Sequence, residues 1–454
     1  MAPMAPPRRY EELLEKNRRY LWNPFTQMKD YLADEPVIVE RGEGCRLVDV
    51  NGTAYLDGNA SLWLNVHGHA RRELNEAIAA QLAKVAHSTL LGMGSVPAIE
   101  LAERLVALTP SSLRKVFFSD SGAAAVEVGL KIAFAYWRRV GRPGKRRFVC
   151  FENGYHGDTI GAMSVSGIEL YHAEFGPLLF PADRVPYPYP YRFPGSEQEC
   201  VAYCLGRLEE LLDRQADETA CIVVEPVMQG AGGMIAMPPG FLAALADLAR
   251  RYEVLLFADE VATGFGRTGR LFACEHEQVA PDLMAVGKGL TGGYLPVAAT
   301  LTSDALYDAF WGEPAELKAL YHGHSFTGNQ LGCAAALASL DLFEREDLVR
   351  RAAEAGERLG AALGGLAELE HVGEVRRRGL MVGIELVAER DSKARYDPKE
   401  RVGWAVCRRA RELGLLTRPL GDVVVLMPPL VASDAELDEM AAVVTQAVAE
   451  VTGR

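Results

Sequence analysis

No run of about 18 apolar residues occurs in the 454-residue chain, so nothing in it reads as a membrane-spanning helix. Positive charge is also short: 48 Lys and Arg against 61 Asp and Glu leave a formal net charge of −13. A surface that acidic repels phosphate backbones, which argues against nucleic acid as a partner. The short basic stretches, Arg146-Arg147 and Arg376-Arg377-Arg378, read as solvated helix ends or loops. Cysteine is sparse. The eight copies are scattered, no C-x-x-C occurs, and Cys200 and Cys204 form the nearest pair. That reads as reduced thiols, not a disulfide framework or a zinc ligand set. No H-E-x-x-H is present, so His67-Gly-His69 and His322-Gly-His324 read as loop histidines, and no metal is expected. Arg8 and Arg9 are followed by no apolar stretch, so the N-terminal segment does not read as a signal peptide, and the cytoplasm is the expected compartment. Residues 1–7, rich in Pro and Ala, read as disordered.

What is present is an ordinary globular composition, 49% hydrophobic and 24% charged, on a chain longer than one core supports. One large domain and one smaller one are expected. Short strands near 37–40, 45–50 and 54–57, with turns at Gly42–Gly44 and Asn51-Gly52, predict a β-meander at the front. From His69 onward, helical spacing alternates with apolar strands: 115–119, 147–151, 220–225 and 254–259, with helices near 97–108, 123–140 and 241–252. That pattern predicts a mostly parallel sheet covered on both faces. Beyond Arg345 helices dominate, with strands near 381–386 and 423–427. The expected fold is α/β, with a large domain over 69–345 and a smaller α+β unit built from 1–68 and 346–454.

Leu255-Leu-Phe-Ala-Asp259-Glu260 is an apolar strand that ends in two acids, at the end where parallel sheets bind ligands. Downstream, Lys288 stands between Gly287 and Gly289 after an apolar stretch. Glycines let backbone crowd a bulky group, and a lysine in an apolar pocket can shed its proton at neutral pH, as a Schiff-base nucleophile must. Ser121-Gly122-Ala123 falls between a strand and a long helix, where backbone N–H groups face an anion. Tyr155, in Asn153-Gly-Tyr-His-Gly-Asp158, is an aromatic on a glycine-rich loop after a strand. An amine, an acid, a phosphate cradle and a flat cover are the four contributions pyridoxal 5'-phosphate (PLP) needs from a protein. Glu225, at another strand end, reads either as a second acid near the cofactor or as half of a structural ion pair. Gly264-Phe-Gly266-Arg-Thr-Gly269 matches a dinucleotide fingerprint, but the stretch after it is too short and broken for the helix such a site requires.

These residues resemble those of the class III, fold-type-I aminotransferases along nearly the whole chain. The stretches that carry the likeness are SDSGAAAVEVGLKIA, NGYHGDTIGAMSVSG, VVEPVMQGAGGM, LLFADEVATGFGRTG, DLMAVGKGLTGGYLP, HGHSFTGNQLGCAAALA and TRPLGDVVVLMPP. RRYLWNPFTQMKDY, SLWLNVHGHARRELNEAIAAQL and AHSTLLGMGSVPAIELAERL are similar to the biotin-pathway branch, which converts 8-amino-7-oxononanoate to 7,8-diaminononanoate. The resemblance implies that Lys288 carries PLP as a Schiff base, that Asp259 faces the pyridine nitrogen, and that Gly122 and Ala123 hold the phosphate. It implies that Tyr155 stacks on the ring and touches substrate, and that Arg418 grips the substrate carboxylate. Gly323, His324 and Ser325 would reach substrate and phosphate from the neighbouring subunit of a homodimer. Branch members that take S-adenosylmethionine as donor carry Tyr where this chain has Phe25, Trp-Trp where it has Leu62-Trp63, Pro-Thr where it has His324-Ser325, and Tyr where it has Val425. Those departures imply L-lysine as the donor. The rivals are an ω-aminotransferase acting on a diamine or β-amino acid, and a noncatalytic binding module on the same fold.

Overall fold

The computed structural model describes residues 7–453. The disorder expected of residues 1–7 lies outside the described residues, except that Pro7 opens the helix Pro7–Tyr20. The front meander is present as β1 (Val39–Glu43), β2 (Arg46–Asp49) and β3 (Ala54–Asp57). The central strands are β4 (Lys115–Ser119), β5 (Arg147–Phe151), β6 (Asp183–Val185) and β7 (Thr219–Val224). A two-stranded hairpin, β8 (Met228–Gln229) and β9 (Ile235–Ala236), comes before β10 (Leu255–Asp259), β11 (Leu283–Val286) and β12 (Ala298–Thr302). The C-terminal part adds β13 (Val372–Arg378), β14 (Met381–Leu386), β15 (Leu415–Leu416), β16 (Arg418–Leu420) and β17 (Val423–Leu426).

Seven strands form one sheet in the order β4-β12-β11-β10-β7-β5-β6. Only β12 runs against its neighbours; the pairs β11–β10, β10–β7, β7–β5 and β5–β6 are parallel. β7, β10 and β11 are buried along their whole length, which is why they read in sequence as unbroken apolar runs. The helix Gly122–Arg139 packs on one face, where Gly129 leaves room for Phe257: a Cβ at Gly129 would stand 2.3 Å from that ring. The meander is completed from the far end of the chain, since β3 pairs in parallel with β15. A second sheet, β13-β14-β17-β16, is antiparallel.

This layout settles where chemistry can occur. With six strands aligned, their carboxyl ends open on one side; Asp259 ends β10 there, and the loops leaving β4, β5, β7 and β11 carry Ser121, Tyr155, Glu225 and Lys288.

Candidate active site

One cavity is lined by Trp63, Gly122, Ala123, Tyr155, His156, Gly157, Asp158, Glu225, Asp259, Val261, Ala262 and Lys288. Another cavity, of about 700 Å³ beside the helix Gly122–Arg139, is roomier, but it is walled by side chains such as Leu130, Phe134 and Phe148 and holds none of the expected residues.

Lys288 follows β11 with a left-handed backbone, φ 40°. A side chain pays for that conformation with strain, which is kept where function requires it. Its ammonium lies 5.5 Å from the centre of the Trp63 ring. Burial lowers the Lys288 pKa below the ordinary lysine value, while the charges of Asp259 and Glu225 pull it back up. Trp63 itself ends a run of four left-handed residues, Ala60 to Trp63. Asp57 pins that turn by accepting from the Ser61 amide at 2.9 Å, and the Trp63 indole donates to Asn59 at 2.8 Å.

Asp259, nearly fully buried, uses both oxygens. Oδ2 takes a hydrogen bond from His156 Nδ1 at 2.7 Å and Oδ1 takes one from the Val261 amide at 3.0 Å. Burial works against charge on His156, but the bond and attraction from Asp259 outweigh it and raise the His156 pKa. These two bonds fix the carboxylate at the cavity wall, beside Lys288.

At the head of the helix Gly122–Arg139, Ser121 Oγ accepts from the Ala124 amide at 3.2 Å. The amides of Gly122 and Ala123 have no acceptor within the helix and lie at the cavity wall, an arrangement suited to phosphate. Gly122 is required by close packing: a Cβ there would stand 2.5 Å from Val261. Tyr155 donates from its hydroxyl to Asp158 at 2.7 Å, and burial followed by that bond raises its pKa. The donor set, with an amine, a buried carboxylate, free helix-end amides and aromatic walls in one cavity, fits PLP. Among the described residues, no group of three or more His, Cys, Asp or Glu side chains is placed to hold a metal.

Among the described residues, Glu225 has no ion-pair partner within 4 Å. It accepts from the Tyr155 and Gly230 amides, each at 2.9 Å, and so holds the tyrosine loop against the hairpin β8–β9. Burial raises its pKa to about 7, with Asp259 adding to the rise and His156 opposing it. The folded protein therefore holds a proton that the unfolded chain releases near pH 4.5, so stability contributed at low pH is lost as pH climbs to about 7. In cofactor-free protein, the stability advantage over Glu225→Gln is expected to fall by roughly 3 kcal/mol across that window. Melting curves of both proteins at about pH 5 and about pH 8 check this; a pH-independent difference would contradict it.

The remaining expected residues lie outside this cavity. Leu62, next to Trp63, is 47% exposed. Phe25 is 59% exposed and borders a groove with Thr417 and Pro419. Arg418, between those two, is half-buried on β16 and pairs across the ladder with Val425 of β17. Val425 is fully buried in the cluster that contains Trp63. Gly323, His324 and Ser325 do not line the cavity: His324 Nδ1 is 3.4 Å from Asp120, and the Ser325 carbonyl accepts from His87 at 2.7 Å.

Two residues at the site were not singled out from sequence. His156 lies inside the motif that supplied Tyr155, and its adjacency to a glycine-rich loop was the available signal. Arg267, inside the dinucleotide-like stretch, is fully buried and donates to the carbonyls of Pro428 and Asn65, joining an N-terminal and a C-terminal segment. Burial lowers its pKa to about 9.

A family model described as "Aminotransferase class-III" matches residues 30–448. The chain is 52% identical to the adenosylmethionine-8-amino-7-oxononanoate aminotransferase of Anoxybacillus flavithermus, over 97% of each chain. The crystal structure of the enzyme of that name from Methanocaldococcus jannaschii superposes with a TM-score of 0.92 at 44% identity, covering 97% of this chain and 99% of that one. An (S)-enantioselective omega-transaminase from Thermomicrobium roseum superposes at 0.94 with 37% identity, over 97% and 98%.

Proposed function

The chain belongs to the class III aminotransferases, and we propose that it aminates 8-amino-7-oxononanoate to 7,8-diaminononanoate in biotin biosynthesis. As a member of that family it is a PLP-dependent enzyme. The observation that carries the reading is the meeting of Lys288, Asp259 and the Gly122–Ala123 amides in one cavity at the carboxyl ends of the sheet. The relatives of the same length named for this acceptor support the substrate.

PLP, when bound, draws off the electron pair left when a proton leaves the carbon beside the amine. Lys288 would hold the cofactor and, once the donor amine displaces it, its Nζ would take that proton and return one at each half of the ping-pong cycle. Asp259, backed by His156, would keep the pyridine nitrogen protonated. Ser121, Gly122 and Ala123 would hold the phosphate, and Tyr155 would cover the ring. Glu225 would keep the Tyr155 loop in place. Arg418 would grip the acceptor's carboxylate. Its loss removes a charge-assisted contact worth about 1.5–3 kcal/mol, so Arg418→Ala is expected to raise KM for 8-amino-7-oxononanoate about 10- to 100-fold. Donors that do not use that arginine should react nearly as before; equal losses for every substrate would make Arg418 structural.

For the donor we propose L-lysine. Phe25 lacks a hydroxyl, and Leu62 and Val425 lack the aromatic faces that suit an adenine ring and a sulfonium. Trp63 supplies one such face, and the relatives' names specify adenosylmethionine, so that donor is the competing reading. A half-reaction with each donor alone decides it: cofactor conversion by S-adenosylmethionine but not by lysine would overturn the lysine assignment. The likeness to omega-transaminases favours, as the second reading, a diamine or β-amino acid substrate, which an acceptor screen separates. Gly323, His324 and Ser325 would serve the site of a second copy. Tyr321 and Phe326 on their loop are exposed, and Phe326 packs against His87 with ring centroids 4.9 Å apart. A homodimer in sedimentation is the expected result.

A further inference from the structure

Tyr155, which lines the cavity, packs against a second ring that lies outside the lining. The Tyr171 ring stands edge-on to it, with centroids 6.1 Å apart, and Phe25 stands edge-on to Tyr171 at 5.2 Å. Tyr171 lies on the short helix Glu169–His172 and is half-buried. Phe25 comes from a different part of the chain, the segment between the helices Pro7–Tyr20 and Met28–Ala33. Leu21 and Trp22 of that segment are exposed, and Phe25 holds a left-handed backbone, φ 49°, which a non-glycine residue keeps only when its surroundings hold it there. Beyond Phe25 the groove continues along Thr417 and Pro419, the two neighbours of Arg418. Three rings therefore run from the cofactor cavity towards the strand of the arginine.

We infer that Tyr171 is a specificity-determining residue: with Phe25 it forms the aromatic wall that seats the aliphatic chain of a long ω-carboxylate acceptor between Tyr155 and Arg418. The inference rests on the acceptor reading above. The acceptor's reacting end and its carboxylate are separated by methylene groups that need an apolar surface, and an aromatic ring edge supplies one at little conformational cost. Tyr171 bonds to no reacting group in this arrangement. It selects by chain length.

The test compares 8-amino-7-oxononanoate with 3-aminobutan-2-one, which has the same reacting end and no chain or carboxylate, using the dimeric holoenzyme. Tyr171→Ala is expected to raise KM for the long acid roughly 3- to 10-fold, with kcat, the cofactor absorbance and turnover of the short ketone unchanged. Tyr171→Phe should behave as wild type, because ring packing needs no hydroxyl. If the alanine protein fails to fold, Tyr171→Leu, which keeps some apolar bulk but breaks the ring chain between Tyr155 and Phe25, should show a smaller loss confined to the long acid. A Tyr171→Ala or Tyr171→Leu enzyme with unchanged KM for the long acid, or with equal losses on both acceptors, would overturn the inference. A wild type that does not prefer the long acid would overturn the acceptor reading, and this inference with it.

Discussion

Lys288→Ala is expected to abolish useful turnover while the protein still binds PLP noncovalently. Lys288 is the amine in the cavity that also holds Asp259, Tyr155 and the helix-end amides. On the proposed function, removing it takes away the covalent tether and the group that would carry the proton in both half-reactions. Loss of a positioned acid-base group alone costs roughly 10²–10⁴-fold in rate, and loss of the tether adds to it. The left-handed φ of 40° at this position is tolerated less well by alanine than by glycine, so Lys288→Gly is the control for strain. Steady-state assays of both variants check this. Substantial turnover in either would show that another group does the proton transfer.

Asp259→Asn is expected to keep the cofactor and lose most of the rate. Both carboxylate oxygens already accept, one from His156 and one from the Val261 amide. An asparagine can keep the Val261 bond through its Oδ1 only by turning its NH2 to His156, which must then accept at Nδ1 as the other, neutral tautomer. The amide also cannot hold that nitrogen protonated, because it carries no charge. The lost charge-assisted contact is worth about 1.5–3 kcal/mol, so kcat should fall on the order of 10- to 100-fold or more. His156→Asn keeps the carboxyl group itself and should cost less. A near-normal rate for Asp259→Asn would shift the role to another acid, with Glu225 the nearest candidate.

Much of the fold was legible because buried parallel strands must be apolar throughout. The runs at 147–151 and 254–259 read as strands for that reason, and the residues at or just beyond their ends fall at the carboxyl ends that bind ligands. β12 was not legible. Ala298–Thr302 carries nothing in its composition to say that it runs against its neighbours, because direction is set by where β11 and β4 lie. Arg376-Arg377-Arg378 reads as a solvated stretch, and that reading fails: it belongs to β13, where Arg376 is buried against Glu385 of β14 and Glu374. A buried arginine is tolerable when carboxylates meet it, and one of these arrives from the neighbouring strand, which local charge patterning cannot register. Arg267 escaped for a similar reason, since its acceptors are carbonyls at Asn65 and Pro428. Glu225 could be narrowed to two readings from sequence; only its backbone bonds at 2.9 Å show what it holds.

The central claim is that Lys288 carries the cofactor. Borohydride reduction of the native holoenzyme fixes PLP to whatever amine bears it, and peptide mapping then locates the adduct. The account predicts a single pyridoxyl group on the peptide containing Lys288. An adduct on Lys131, on Lys145 or on any other lysine, with Lys288 unmodified, would contradict it.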